Sequence, residues 1–118
     1  MSNRFEHMKL FFASWQQPDQ LAQTLAPDFT MDDPAEQAPI GPHELSAWME
    51  RWVERIRAAG GTGEVENLYQ AEVDQDGVLH HWTWWHFPGT DFQGAALVTA
   101  TDEGVTGQRI AYCRRPAT

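Results

Sequence analysis

The side chains in this chain best suited to moving a proton are the carboxylate of Asp33 and the imidazole of His81, with the phenol of Tyr69 as a further donor. Asp33 lies in the run Phe29-Thr30-Met31-Asp32-Asp33-Pro34. In an extended chain alternate side chains share a face, so Phe29, Met31 and Asp33 point one way and Thr30 and Asp32 the other. Two large apolar residues mark the first face as the buried one, which puts the Asp33 carboxyl on the apolar side. Pro34 keeps Asp33 extended and leaves one fewer amide donor nearby. Burial disfavours the charged form of an acid, so this reading predicts a raised pKa, the property of a base that takes protons from carbon. The same local sequence also reads as an Asp capping a turn before proline, through a hydrogen bond to its own backbone.

The second stretch with chemistry in it is His80-His81-Trp82-Thr83-Trp84-Trp85-His86-Phe87. On a strand, His81, Thr83, Trp85 and Phe87 share one face and His80, Trp82, Trp84 and His86 the other. These histidines, with His43 and nearby acids, invite a metal reading. However, no two histidines have the i, i+2 strand spacing or i, i+4 helical spacing at which ligands converge, and no metal is expected. Cys113 is the single cysteine and has no activating His beside it in sequence, so it reads as a strand residue. It cannot form an internal disulfide, which suits a reducing cytoplasm. Ser2, Ser14 and Ser46 lack a nucleophile-elbow context, and no glycine-rich phosphate loop is present.

The elements that must position these groups fall into two halves. Phe5, Met8, Phe12 and Trp15 recur at three- and four-residue spacing, with Phe11 widening the stripe, and predict an amphipathic first helix. Pro18-Asp19 opens a short second helix carrying Leu21 and Leu25, closed by Pro27. Leu45, Trp48, Met49, Trp52, Val53 and Ile56 form the stripe of a third helix, with Pro42 in its first turn and Gly60-Gly61 as its stop. Past Thr62 the period becomes two. Val65, Asn67, Tyr69, Ala71 and Val73 alternate with Glu64, Glu66, Leu68, Gln70 and Glu72. Turn signals at Asp76-Gly77, Pro88-Gly89-Thr90-Asp91 and Asp102-Glu103-Gly104 bound runs over 78–87, 92–101 and 105–114. Such tight connections join antiparallel neighbours. The expected architecture is α+β, a single domain over 1–118 with three N-terminal helices packed into a curved four-stranded antiparallel sheet. A curled sheet that its helices do not fill leaves a cone-shaped apolar cavity, with Asp33 near the mouth.

Composition narrows the partners. Eight Lys and Arg against 17 Asp and Glu give a net charge of −9, which argues against nucleic acid and anionic membranes. No apolar run approaches membrane-spanning length and the N-terminus lacks a signal-peptide core, so a cytoplasmic protein is expected. Six tryptophans in 118 residues are many for a small domain. Indoles line cavities and interfaces as well as cores.

The order of helices, Asp32-Asp33-Pro34 followed by Gly41 and then Leu45-Ser46-Ala47-Trp48, and a closing meander resemble the SnoaL-like and ketosteroid-isomerase branch of the nuclear-transport-factor-two-like superfamily. The segment from Phe92-Gln93-Gly94 through Asp102-Glu103-Gly104 to Ile110-Ala111-Tyr112 resembles that family's last hairpin. The resemblance implies that Asp33, the acid before the proline, is the catalytic base. It also turns His81, Thr83 and Trp85 inward. The isomerase's two oxyanion donors, a Tyr on the first helix and a protonated Asp on the third strand, would fall on Phe11 or Phe12 and on Ala96, none of which can donate. His81 or Tyr69 would have to polarise the carbonyl instead. The implied pocket takes Phe12 and Trp15 from the first helix, Phe29 and Met31 from the extended run, and Trp48 and Trp52 from the third helix. The sheet would add Thr83, Trp85, Ala96 and Cys113. The ligand would be a compact apolar or aromatic carbonyl compound, the chemistry a cofactor-independent proton transfer as in isomerases and polyketide cyclases. The assembly would be a homodimer through the outer, tryptophan-rich face. A non-catalytic ligand-binding or dimerisation module on the same fold is the alternative.

Overall fold

The computed structural model describes residues 3–114. Helix α1 (Arg4–Ala13) starts where the Asn3 side chain accepts the Phe5 and Glu6 amides, both at 3.0 Å, which satisfies two of the donors a helix start leaves unpaired. It buries Met8 and Phe11, while Phe12 and, just beyond its end, Trp15 are partly covered and Phe5 is exposed. Arg4 pairs with Asp74 at 2.7 Å and Asp102 at 3.0 Å, tying the helix to the ends of two hairpins.

Helix α2 (Pro18–Ala22) is shorter than predicted. Leu25 and Pro27 belong instead to a strand, β1 (Leu25–Asp32), which runs parallel to β5 (Gly104–Arg114) with Thr30 opposite Gly107 and Met31 opposite Gln108. The sheet is therefore five-stranded and mixed, in the order β1-β5-β4-β3-β2, not four-stranded and antiparallel. The extended character of Phe29–Asp33 was visible in its alternation. Its membership in the sheet was not, because a parallel partner from the far end of the chain leaves no local turn to read.

The remaining strands, β2 (Glu66–Gln75), β3 (Val78–His86) and β4 (Phe92–Thr101), form the expected meander with β5. Asp76 and Gly77 both adopt positive φ, 53° and 79°, as a two-residue hairpin turn requires. Strand β2 departs from simple alternation. Asn67 sits opposite Trp85 but Tyr69 opposite Trp84, so two steps on β2 match one on β3. That bulge exchanges the faces of everything after it.

Helix α3 (Leu45–Ala58), entered through a 3-10 turn at Pro42–Glu44, lays Leu45, Trp48, Met49, Trp52 and Ile56 into the core. Between β1 and this turn the chain folds back on itself. Met31 and Ile40 exchange both backbone hydrogen bonds at 2.9 Å and close the loop that holds Asp33.

Candidate functional site

Asp33 stands at the base of that loop with 5% of its surface exposed and its side chain sealed completely. The apolar-face placement holds, and so does the turn cap: one carboxylate oxygen accepts the Ala35 amide at 2.9 Å. The other oxygen accepts from the Trp48 indole at 2.9 Å, the Arg55 guanidinium at 2.9 Å and the Tyr112 hydroxyl at 3.2 Å. Burial alone pushes this acid up, and it is the strongest single influence. Yet the Ala35 amide, Arg55 and Trp48 together hold the carboxyl below the usual carboxylate range. The raised pKa expected for Asp33 is therefore reversed, because the charged form is met by four donors, one of them cationic. On Tyr112, burial and then the neighbouring Asp33 charge push the phenol well above its ordinary value.

The cone has a cavity of about 380 Å³ between α1, α3 and the concave face of the sheet. Phe12, Trp15, Trp52 and Trp85 form its aromatic walls, and Gln16, Glu64, Asn67, Thr83 and Gln108 supply the polar groups. Two of those groups are already used. The Trp85 N–H donates to the Thr83 hydroxyl at 3.0 Å, and the Gln16 amide donates to the Gly63 carbonyl at 2.6 Å. Trp85 itself packs against Gly94, where any Cβ would overlap its ring. A second, almost wholly apolar slot of about 310 Å³ shares the Trp52 wall and has Arg55 and Tyr112 on its lining. The Trp52 indole N–H is buried there without a hydrogen-bond partner.

Several solved structures share this architecture. A candidate polyketide cyclase from Sinorhizobium meliloti is 22% identical, the match covering 90% of this chain and 94% of that one with a TM-score of 0.60. A candidate SnoaL-like polyketide cyclase from Shewanella denitrificans is 12% identical over 92% and 89%, with a TM-score of 0.65. A steroid delta-isomerase from Pseudomonas aeruginosa is 11% identical over 93% and 77%, with a TM-score of 0.60. This is the nuclear-transport-factor-two-like fold. No family model matches the chain, and neither does any curated protein at the level of sequence. At these identities the likeness carries the fold and leaves the chemistry to be argued from side chains.

Within the nuclear-transport-factor-two-like cone, the candidate residues scatter. Phe12, Trp15, Trp52, Thr83 and Trp85 line the cavity. Phe29, Met31, Trp48 and Ala96 are buried in the core without lining it. Cys113 is exposed on the outer face, and its neighbour Tyr112 takes the inward position. Asp33 borders a shallow outer recess with the 34–39 loop and Ile110 rather than the cavity. His81 faces inward as expected, but its ring nitrogens meet Glu72 at 2.7 Å and Gln70 at 3.1 Å, and Phe12 packs on the ring at 4.6 Å. Tyr69 is 65% exposed on the convex face, displaced there by the β2 bulge, and cannot polarise a ligand inside the cone. The proposed trio of Asp33, His81 and Tyr69 is thus not assembled.

Three participants escaped sequence reasoning. Arg55 is not among the apolar residues of the α3 stripe, although its spacing of about two turns from Trp48 puts both on the side that meets Asp33. Tyr112 follows Ile110 at the strand period. Gln108 precedes it at the same period. Among the described residues, no group of three or more His, Cys, Asp or Glu side chains is placed to hold a metal, and no helix is long and apolar enough to cross a membrane.

Proposed function

We propose that the protein binds a compact, largely apolar or aromatic small molecule in the cone cavity, with Asp33 as the internal anchor of the cone and not its reagent. The observation that carries this reading is the state of the carboxylate. Its oxygens accept four donors, its pKa is held low, and its side chain is sealed from solvent. A base for carbon acids needs the opposite of each. The aromatic walls of the cavity, by contrast, offer apolar area beside polar groups from Gln16, Glu64, Asn67, Thr83 and Gln108, a combination that suits a small molecule.

A second reading has its own support. The neighbours on this fold include candidate polyketide cyclases and a steroid isomerase. On this reading Asp33 is the base for proton transfer next to a carbonyl, exposed to substrate when the Arg55 and Tyr112 contacts part. One experiment separates the two. The protein is incubated in heavy water with a panel of cyclic ketones and enones, and α-proton exchange is followed by NMR while binding is followed by indole fluorescence. Saturable binding with no exchange above background supports the binding protein. Exchange that the wild type catalyses and Asp33→Asn loses would establish the enzyme and overturn the first reading.

A further inference from the structure

The cavity's charge is one-sided. Gln16 has spent its amide N–H on Gly63 and Trp85 its indole N–H on Thr83. Gln108, only 4% exposed, has a side-chain oxygen with no hydrogen-bond partner. Glu64 adds a carboxylate to the lining from an exposed position. Among the described residues lining the cavity there is no Lys, Arg or His. The lining therefore carries one negative charge and no positive one to balance it, beside amides and a hydroxyl that can donate as well as accept.

The aromatic walls point the same way. Trp15 and Trp52 meet edge to face with ring centroids 5.5 Å apart. Trp85 packs against Gly94 and lines the interior. Phe12 completes the ring of π-surfaces. The faces of such rings are negative and attract cations, indole most strongly, and clusters of them recognise quaternary and methylated ammonium groups. The chain's net charge of −9 raises the local concentration of cations further.

We infer that the cavity takes an organic ammonium ion: a cationic head seated among Trp15, Trp52 and Trp85, with Glu64 as its counter-charge and an apolar body filling the remainder. The inference rests on the proposed binding role of this cavity and adds the sign of the ligand's charge. Anionic ligands, including carboxylates and phosphate esters, are disfavoured by the same lining.

The test uses carbon isosteres, which keep shape and change charge alone. The full-length protein is titrated by indole fluorescence and calorimetry with choline against its tert-butyl analogue, and with benzyltrimethylammonium against neopentylbenzene. At least one cation is expected to saturate with an affinity about tenfold above its neutral partner. Glu64→Gln, an exposed substitution that leaves the core untouched, should weaken the cation by about threefold or more and leave the neutral isostere unchanged. Neutral isosteres that bind as well as the cations overturn the inference while the cavity stands as a binding site. Saturation by neither member of either pair overturns the inference too. In that case the ketone and enone panel decides separately whether the cavity binds anything.

Discussion

Asp33 is a carboxylate whose charge the surrounding side chains hold in place, and its behaviour under acid follows. A folded-state pKa below the unfolded one means that the stabilisation is fully present above the ordinary carboxylate range near about pH 4. It is lost as pH falls from there through the depressed value. Urea midpoints of the wild type should therefore drop between pH 5 and pH 3, on the order of those two limits. Asp33→Asn should be weaker at neutral pH and drop less over the same interval. The substitution leaves Arg55 facing a neutral amide, and since that guanidinium is partly exposed the expected cost at neutral pH is about 2 kcal/mol. An identical acid response in both proteins would show that the carboxylate gains nothing from its donors. Tyr112→Phe removes one of the four and should cost about 1 kcal/mol, measurable by the same denaturation.

Strand β3 shows how an element aims side chains that its own sequence only half determines. Leu79, His81, Thr83 and Trp85 point inward as alternation requires, and the turn signals at Asp76-Gly77 and Pro88-Gly89 set its ends within a residue. The α3 stripe was equally legible, because five of its six predicted core residues are buried. What could not be read was long-range. The parallel seat of β1 depends on β5, and the fate of Tyr69 depends on a bulge with no glycine or proline to announce it. The Asp33 site suffered most, since its Arg55 and Tyr112 donors lie 22 and 79 residues away. Gly94 is a sharper case of one element depending on another. It lacks a side chain, and the Trp85 indole occupies the space on the facing strand where one would be. Gly94→Ala should force that ring off the sheet and cost about 1–3 kcal/mol. The near-UV circular dichroism of the tryptophans should change with it, and ligand affinity of the cavity should fall because Trp85 forms a wall. A variant with wild-type stability and an unaltered indole spectrum would mean the contact is slack.

Taken as a whole molecule, the protein has a second aromatic surface that its cavity does not use. The convex face of β2 and β3 exposes Tyr69, Val73, Trp82 and Trp84, with the two indoles at 43% and 46%. Tyr69 is paired across the strands with Trp84, so these groups form one patch and not isolated residues. Contiguous apolar surface of this kind marks an interaction site, and we propose that a second copy of the chain covers it. Net charge works against that association: two molecules at −9 repel, and salt screens the repulsion. The dimer should therefore strengthen as salt rises, whereas an ammonium ligand drawn by the same negative charge should bind more weakly. Light scattering at moderate salt is expected to give twice the 13.4 kDa chain mass. Trp84→Glu should return the monomer without loss of the folded spectrum, since its side chain is half in solvent already. A wild type that stays at the single-chain mass at high protein and high salt would leave the outer tryptophans without this partner, and the cavity argument untouched.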